Sequence, residues 1–335
     1  MELRAGQRAV VQVAVATLWS CPEAVRPIDA PALGTHVDTG AWIAGMDTDQ
    51  QVGDCVLSQL LLGEEVLVTE VGPPGWVRVV AVEQAAADLD PRGYPGWLPT
   101  SQLTAAPSDP PVPNGPPVPT GPPVVGPPAL TGPLAVGPPA PAGALVVDAT
   151  VTALYATPHG DVRIPGVALG TRLTPTGPAV DGWRPVRAPG HPEPLWLPDR
   201  HTAPLPTRTP APDDVLAVAE RLLDVVYIWG GTSPAGIDCS GLVHLAWRRF
   251  GVWLPRDAGD QAAATTPVEL GTERPGDLYF FARPGRGIHH VGIVSALPRP
   301  GDDRRMLHAC YQRRRVLEER LPDDRTATLV GVHRV

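Results

Sequence analysis

The chain contains no lysine; every side chain counted among its 27 basic residues is arginine. Lysine nucleophiles and Schiff bases are thereby excluded, and the accompanying wealth of Ala, Pro, Gly and Val fits the codon bias of a GC-rich genome. No stretch approaches the roughly 18 uninterrupted apolar residues of a membrane span, so none is predicted. Acids outnumber bases 35 to 27, the net charge is −8, and there is no basic tail. Broad, phosphate-dominated binding of nucleic acid is therefore not expected. Cysteine is scarce: Cys21, Cys55, Cys239 and Cys310 stand far apart. That spacing suits a reducing compartment better than a disulfide scaffold, and nothing in the sequence supports a Cys21–Cys55 bridge. The opening MELRAGQRAVVQVAVATLWSCPE places two arginines before a short Val/Ala run, but Gln12 interrupts it. It reads as a strand rather than a signal peptide, which predicts a cytoplasmic protein with an extracellular one as the alternative.

What is present is a long chain, 335 residues with 43% apolar and 19% charged side chains, enough for two or three folded units. Residues 8–106 hold Val/Leu-rich runs such as RAVVQVAVATLW, EEVLVTEV and WVRVVAV, cut by Gly/Pro/Asp clusters at the spacing of a small β-barrel. Residues 107–143 contain fifteen prolines and almost no charge, which predicts an extended, semi-rigid linker; their GPP units hold no three-residue frame, so collagen is excluded. A second β-rich stretch at 144–208 follows the order of the first, with Trp183 and Trp196 answering Trp76 and Trp97, and reads as an internal duplication. From 209 to 335 the texture changes. The run PDDVLAVAERLLDVV spaces Val215, Ala219, Leu222, Leu223 and Val226 as an amphipathic helix; Leu242, Val243, Ala246, Trp247 and Phe250 imply a second, closed by Gly251. Strands are predicted at 277–282, 290–297 and 305–311. Helices first and strands afterwards describe an α+β domain on an antiparallel sheet.

Chemistry concentrates in YIWGGTSPAGIDCSGLVHLAW, residues 227–247. Cys239 falls where a Gly-rich loop gives way to helical period, beside unpaired backbone N–H groups and the positive dipole end, a location that favours thiolate. A thiolate needs a base to carry its proton and a group to orient that base. In HVGIVSAL, strand alternation puts His290, Gly292 and Val294 on one face, with room beside the imidazole at Gly292; in RMLHACY, Met306, His308 and Cys310 share a face. Cys239, His290 and His308 thus form a candidate set. The same residues with Cys310 offer four soft metal ligands, but no CxxC or HxxxH pair supports zinc. GxSxG is absent and TERPGDLYFF lacks the glycines of a phosphate cradle. No metal or organic cofactor is expected.

YIWGG and GIDCSGLV, followed in order by LPRDAGDQ, PGDLYFF, HHVGIV and LHAC, resemble the NlpC-type cysteine peptidases, papain-like bacterial cell-wall hydrolases. The two preceding modules resemble bacterial SH3-like domains. ATLWSCPEAVRPID with QLLLGEEVLV and GYPGWLP resembles the γ-D-glutamyl-L-diamino-acid endopeptidase (dipeptidyl-peptidase VI) branch. The fold implied is two small all-β SH3-like barrels followed by an α+β papain-like domain. The resemblance implies Cys239 as nucleophile, His290 as base and then acid, His308 as its orienter and His289 as a bystander. Tyr227 would assist the oxyanion or the substrate carbonyl. Asp238 and Ser240 would contact the D-glutamyl part of a murein stem peptide, and Asp257 its free amino terminus; the next position, often serine in this branch, is Ala258 here. Glu64 and Tyr94, from the first barrel, would close the far end of the cleft. The activity implied is hydrolysis of the γ-D-glutamyl bond to the diamino acid. An inactive wall-binding protein, or an amidase or acyltransferase on the same fold, are the alternatives.

Overall fold

A computed structural model of the chain describes residues 3–106, 143–206, 208–298 and 304–335; nearly all of the predicted linker lies outside them. The N-terminal module is a seven-stranded antiparallel sheet in the order Val56–Leu61, Val15–Trp19, Tyr94–Pro99, Trp76–Ala81, Glu65–Val71, Arg8–Val11, Leu103–Ala105. The second module repeats that order strand for strand: Val162–Ala168, Val151–Tyr155, Leu195–Pro198, Trp183–Arg187, Arg172–Pro175, Leu145–Val147, Thr202–Pro204. Trp76 and Trp183 open the equivalent strands, as Trp97 and Trp196 sit in the closing ones.

The first module is not β throughout, as its strand signals suggested. Between Trp19 and Val56 the chain leaves the sheet, runs through 3-10 turns and forms the helix Thr39–Gly45, capped by Asp38 through the N–H of Ala41. The excursion is held by its own core, in which Trp19 and Trp42 meet at 5.8 Å and pack with Ile43, Met46 and Ile228. Asp29 anchors it, accepting from the Trp42 indole at 2.8 Å and pairing with Arg26. All four cysteines, Cys21 and Cys55 included, are free thiols.

In the C-terminal part the helix Pro212–Glu220 precedes the helix Cys239–Arg248, and both precede a six-stranded antiparallel sheet. The first helix is shorter than its apolar spacing suggests: after Glu220 the chain turns, Asp224 takes a left-handed conformation, and Leu223 is exposed. The predicted strands form at Leu278–Ala282, Ile288–Val294 and Arg305–Cys310. Thr266–Val268, Arg315–Arg320 and Leu329–Arg334 extend the sheet beyond them. Every residue of the helix Cys239–Arg248 is buried. A helix covered all round must have neighbours on every side. Its core includes Phe280, Val291 and Leu307 from the sheet, Val15 and Leu61 from the first module, and Ala168 and Leu169 from the second. The three modules therefore share one interior.

Where they meet, four charges are buried together. Arg248 lies 3.0 Å from Glu64 and 3.6 Å from Glu83, and Glu83 lies 2.9 Å from Arg172. The Arg248 and Arg172 guanidinium groups flank the Trp253 ring at 4.3 and 4.7 Å. Burial pushes the Glu64 carboxyl up despite Arg248, and its oxygens also accept from Leu61 N–H and the Gln84 amide. The Arg248–Glu64 contact is close but not aligned as a hydrogen bond. Removing one member of a buried pair costs about 3–5 kcal/mol because the other charge is stranded. Arg248→Met should therefore destabilise the protein by that order in urea unfolding followed by tryptophan fluorescence, whereas Glu64→Gln, which leaves Arg248 with Glu83 at 3.6 Å, should cost much less. Equal losses would contradict this account of the junction.

Candidate active site

Cys239 is the first residue of its helix, placed there by Asp238 as N-cap. The Asp238 carboxylate accepts from Gly241 N–H at 2.7 Å and from Gly230 N–H at 2.9 Å. Gly241 is required at this point, since a Cβ would sit 2.1 Å from the Gly231 carbonyl oxygen. Arg256 clamps Asp238 with two bonds of 2.7 and 3.1 Å, donates to Ser240 Oγ at 2.9 Å, and reaches Ser58 of the first module at 2.9 Å. Asp238 and Ser240 thus line the cleft but are already occupied in holding the nucleophile helix. Arg256, beside Asp257 in LPRDAGDQ, is the residue that sequence reasoning passed over; a buried arginine there had no local signal because its partners are distant in the chain.

The sulfur is not the ready thiolate that the helix start suggested. Burial, then the neighbouring Asp238 charge, push the thiol up to about 12, outweighing the N–H groups of Val291 and Ser240 that stabilise its anion. Val291 follows His290 in its strand, so the bond from its N–H ties the sulfur to the strand that carries this histidine.

His290 and His308 are joined, Nε2 to Nδ1, at 2.8 Å, both buried. Behind them His308 Nε2 meets Glu319 at 3.1 Å, a residue on the unpredicted strand Arg315–Arg320. Cross-strand register puts His308 opposite Leu317 and Met306 opposite Glu319, a pairing that could not be read before that strand was known. The network assigns the tautomers. Glu319 accepts a hydrogen bond from His308 Nε2–H, leaving Nδ1 to accept from His290 Nε2–H; His290 Nδ1 then carries the free lone pair. Burial, reinforced by His308 and Arg325, holds His290 well below the usual imidazole range, and burial likewise lowers His308. The bond from His308 keeps Glu319 below the usual carboxylate range. Gly292 makes room not beside the His290 ring but for the neighbouring strand: a Cβ there would stand 2.6 Å from the Met306 sulfur and 3.1 Å from His308 Cβ. Metal-ligand atoms gather at His308, Cys310 and Glu319, not at Cys239. An ion there would meet the Arg325 guanidinium, 3.6 Å from Cys310 Sγ and 3.5 Å from Glu319, so the residues do not fit a cation site.

A hollow of about 400 Å³ opens over Cys239. Tyr94 and Asp257, distant in sequence, close it by a 3.1 Å bond from the tyrosine hydroxyl to the carboxylate. Burial raises both groups, Tyr94 beyond the range of solution chemistry, so its hydroxyl remains a donor. Tyr227 lines the same hollow, 3% exposed, its hydroxyl also kept protonated by burial beside Cys239. Ala258 and His289 are at its wall. Glu64 is not: it belongs to the ionic junction with Arg248, because the turn that carries it faces the second module rather than the cleft. The acid the first module does supply is Asp54, at the end of the helical excursion that the sequence did not reveal.

These features predict how the sulfur reacts. Alkylation of Cys239 by iodoacetamide, followed by peptide mass spectrometry, should rise roughly tenfold per pH unit from about pH 7 to 10 without a plateau; saturation below pH 7 would show a resting thiolate instead.

Residues 224–328 match the NlpC/P60 family. The chain is 30% identical over 304 residues to a Bacillus cereus protein named gamma-D-glutamyl-L-lysine dipeptidyl-peptidase, covering 87% of this chain and 81% of that one. It is 32% identical over 287 residues to a Bacillus subtilis protein of the same name, covering 84% of each. The crystal structure of an NlpC/P60 family protein from Bacillus cereus superposes with a TM-score of 0.76 at 26% identity, over 98% of this chain and 99% of that one. The chain belongs to the NlpC/P60 family of cysteine peptidases and is a hydrolase.

Proposed function

We propose that this hydrolase cleaves the γ-D-glutamyl bond to the diamino acid in murein stem peptides that carry a free N-terminal L-alanine, and that its two N-terminal sheets are SH3-like modules, the first of which completes the cleft. The observation that carries this reading is the closed acidic end of the hollow: Asp54 and Tyr94 from the first module and Asp257 from the catalytic part stand in one cavity with Cys239. A primary ammonium adds a charge partner to such carboxylates; an acylated nitrogen is neutral and bulky, and adds none. The names of the two Bacillus relatives support the same bond.

We read the reaction as attack by the Cys239 thiol with His290 as the proton carrier. As Sγ of Cys239 bonds to the γ-carbonyl carbon, its proton passes to Nδ1 of His290, whose low basicity keeps it unprotonated and available at neutral pH. The charge that appears on the imidazole is spread toward His308 and Glu319. The oxyanion is met by backbone N–H groups at the helix start, with the Tyr227 hydroxyl as a further donor. Collapse breaks the C–N bond, and His290 returns its proton to the departing amine. Water, deprotonated by the same nitrogen, then releases the acyl group and restores the thiol.

Two outcomes are expected. L-Ala-γ-D-Glu-diamino acid should be cleaved with kcat/KM on the order of a hundredfold or more above its N-acetylated form, as followed by mass spectrometry; equal rates would remove the amine pocket while leaving the peptidase. His308→Ala should lower kcat on the order of 10²-fold with little change in KM, and an unaffected kcat would reduce His308 to packing. In both assays Cys239→Ala serves as the blank.

A further inference from the structure

A second hollow, of about 530 Å³, adjoins the first along Tyr227, Trp229 and His289, which line both. The sulfur opens into the acidic one, His290 into the other. Since His290 returns its proton to the departing amine, the hollow it lines receives the leaving group. Its charge is opposite to that of the acidic end: Arg283, Arg286 and Arg325 line it, with no carboxylate. Arg325 is already engaged, within 3.5 Å of Glu319 and donating to Gln312 at 2.9 Å. Arg283 and Arg286 are exposed in the turn between strands Leu278–Ala282 and Ile288–Val294, and among the described residues neither has an ion-pair partner.

Resting on the proposed function, we infer that Arg283 and Arg286 form a subsite for a second carboxylate on the leaving diamino acid, so that this chain prefers a diamino dicarboxylic residue such as diaminopimelate to lysine. The two residues differ where the hollow discriminates. Both end in an ammonium, which two unpaired guanidinium groups repel; only the diacid adds a carboxylate that guanidinium can bind in bidentate fashion. Position favours the side chain over the α-carboxylate as the anion read here. The α-carboxylate is one carbon from the nitrogen that His290 protonates, whereas Arg286 is four residues along the hairpin from His290, up to about 13 Å of extended strand. Trp229 and Tyr311, both partly exposed, offer apolar walls for the intervening methylenes.

The test uses four free-amine tripeptides, L-Ala-γ-D-Glu followed by meso-diaminopimelate or L-lysine, each with the third residue's α-carboxylate free or amidated. The full-length protein should show kcat/KM at least about tenfold higher for diaminopimelate, whether or not the α-carboxylate is amidated. Arg283→Gln/Arg286→Gln should bring the ratio near one, partly by improving the lysine peptides, which a merely misfolded variant would not do. Equal cleavage of diaminopimelate and lysine peptides, a ratio unmoved by the double substitution, or a preference abolished by amidation would each overturn the subsite while leaving the peptidase intact. Cleavage of none of the four would overturn the proposed function and the subsite with it.

Discussion

The ion pair between Arg256 and Asp238 is the constraint on which the cleft depends. Asp238 caps the helix that presents Cys239, and a carboxyl group this deep requires a partner. Arg256 supplies it, and its remaining donors reach Ser240 and the first module's Ser58. Its own backbone N–H is bound by the carbonyl of Ala85, again in the first module. One side chain thus fixes the nucleophile, and the same stretch of chain delivers Asp257 to Tyr94. The cost of this arrangement is borne by the thiol, whose ionisation is opposed by the Asp238 charge that positions it.

The catalytic line has the same logic of a buried group stabilised by the next. His308 settles which nitrogen of His290 carries its proton, and Glu319 settles which nitrogen of His308 faces His290. Tautomer selection is passed inward from a carboxylate that never approaches substrate. Arg325 holds that carboxylate ionised from the other side and also borders the leaving-group hollow.

Much of this was legible in the sequence where function and local pattern coincide. Cys239 at a loop-to-helix boundary, His290 with Gly292 in a strand, and the α+β order of the last part follow from periodicity and turn residues. Tyr94 and Asp257 came through resemblance alone, and the structure joins them. What escaped had no local signature. Arg256 and Glu319 act on partners outside any helical or strand repeat of their own segments, and the excursion carrying Asp54 is built from 3-10 turns and a seven-residue helix, too short for a helical period to stand out. Glu64 was misplaced for the complementary reason: a turn glutamate looks solvated until the opposing surface of another module is known. The thiol's resistance to ionisation was likewise hidden, because dipole and capping can be read from order along the chain whereas burial cannot.

The junction of Glu64, Glu83, Arg172 and Arg248 has a bearing on how such a protein can change over time. Each module contributes charges whose neutralising partners are encoded elsewhere in the gene. A recombination event that exchanged one module for a foreign homologue would bring in uncompensated ions at the very seam it created. The two β-units share one strand order, yet their charged surfaces are not interchangeable, and exchange of the three parts is favoured only as a single cassette.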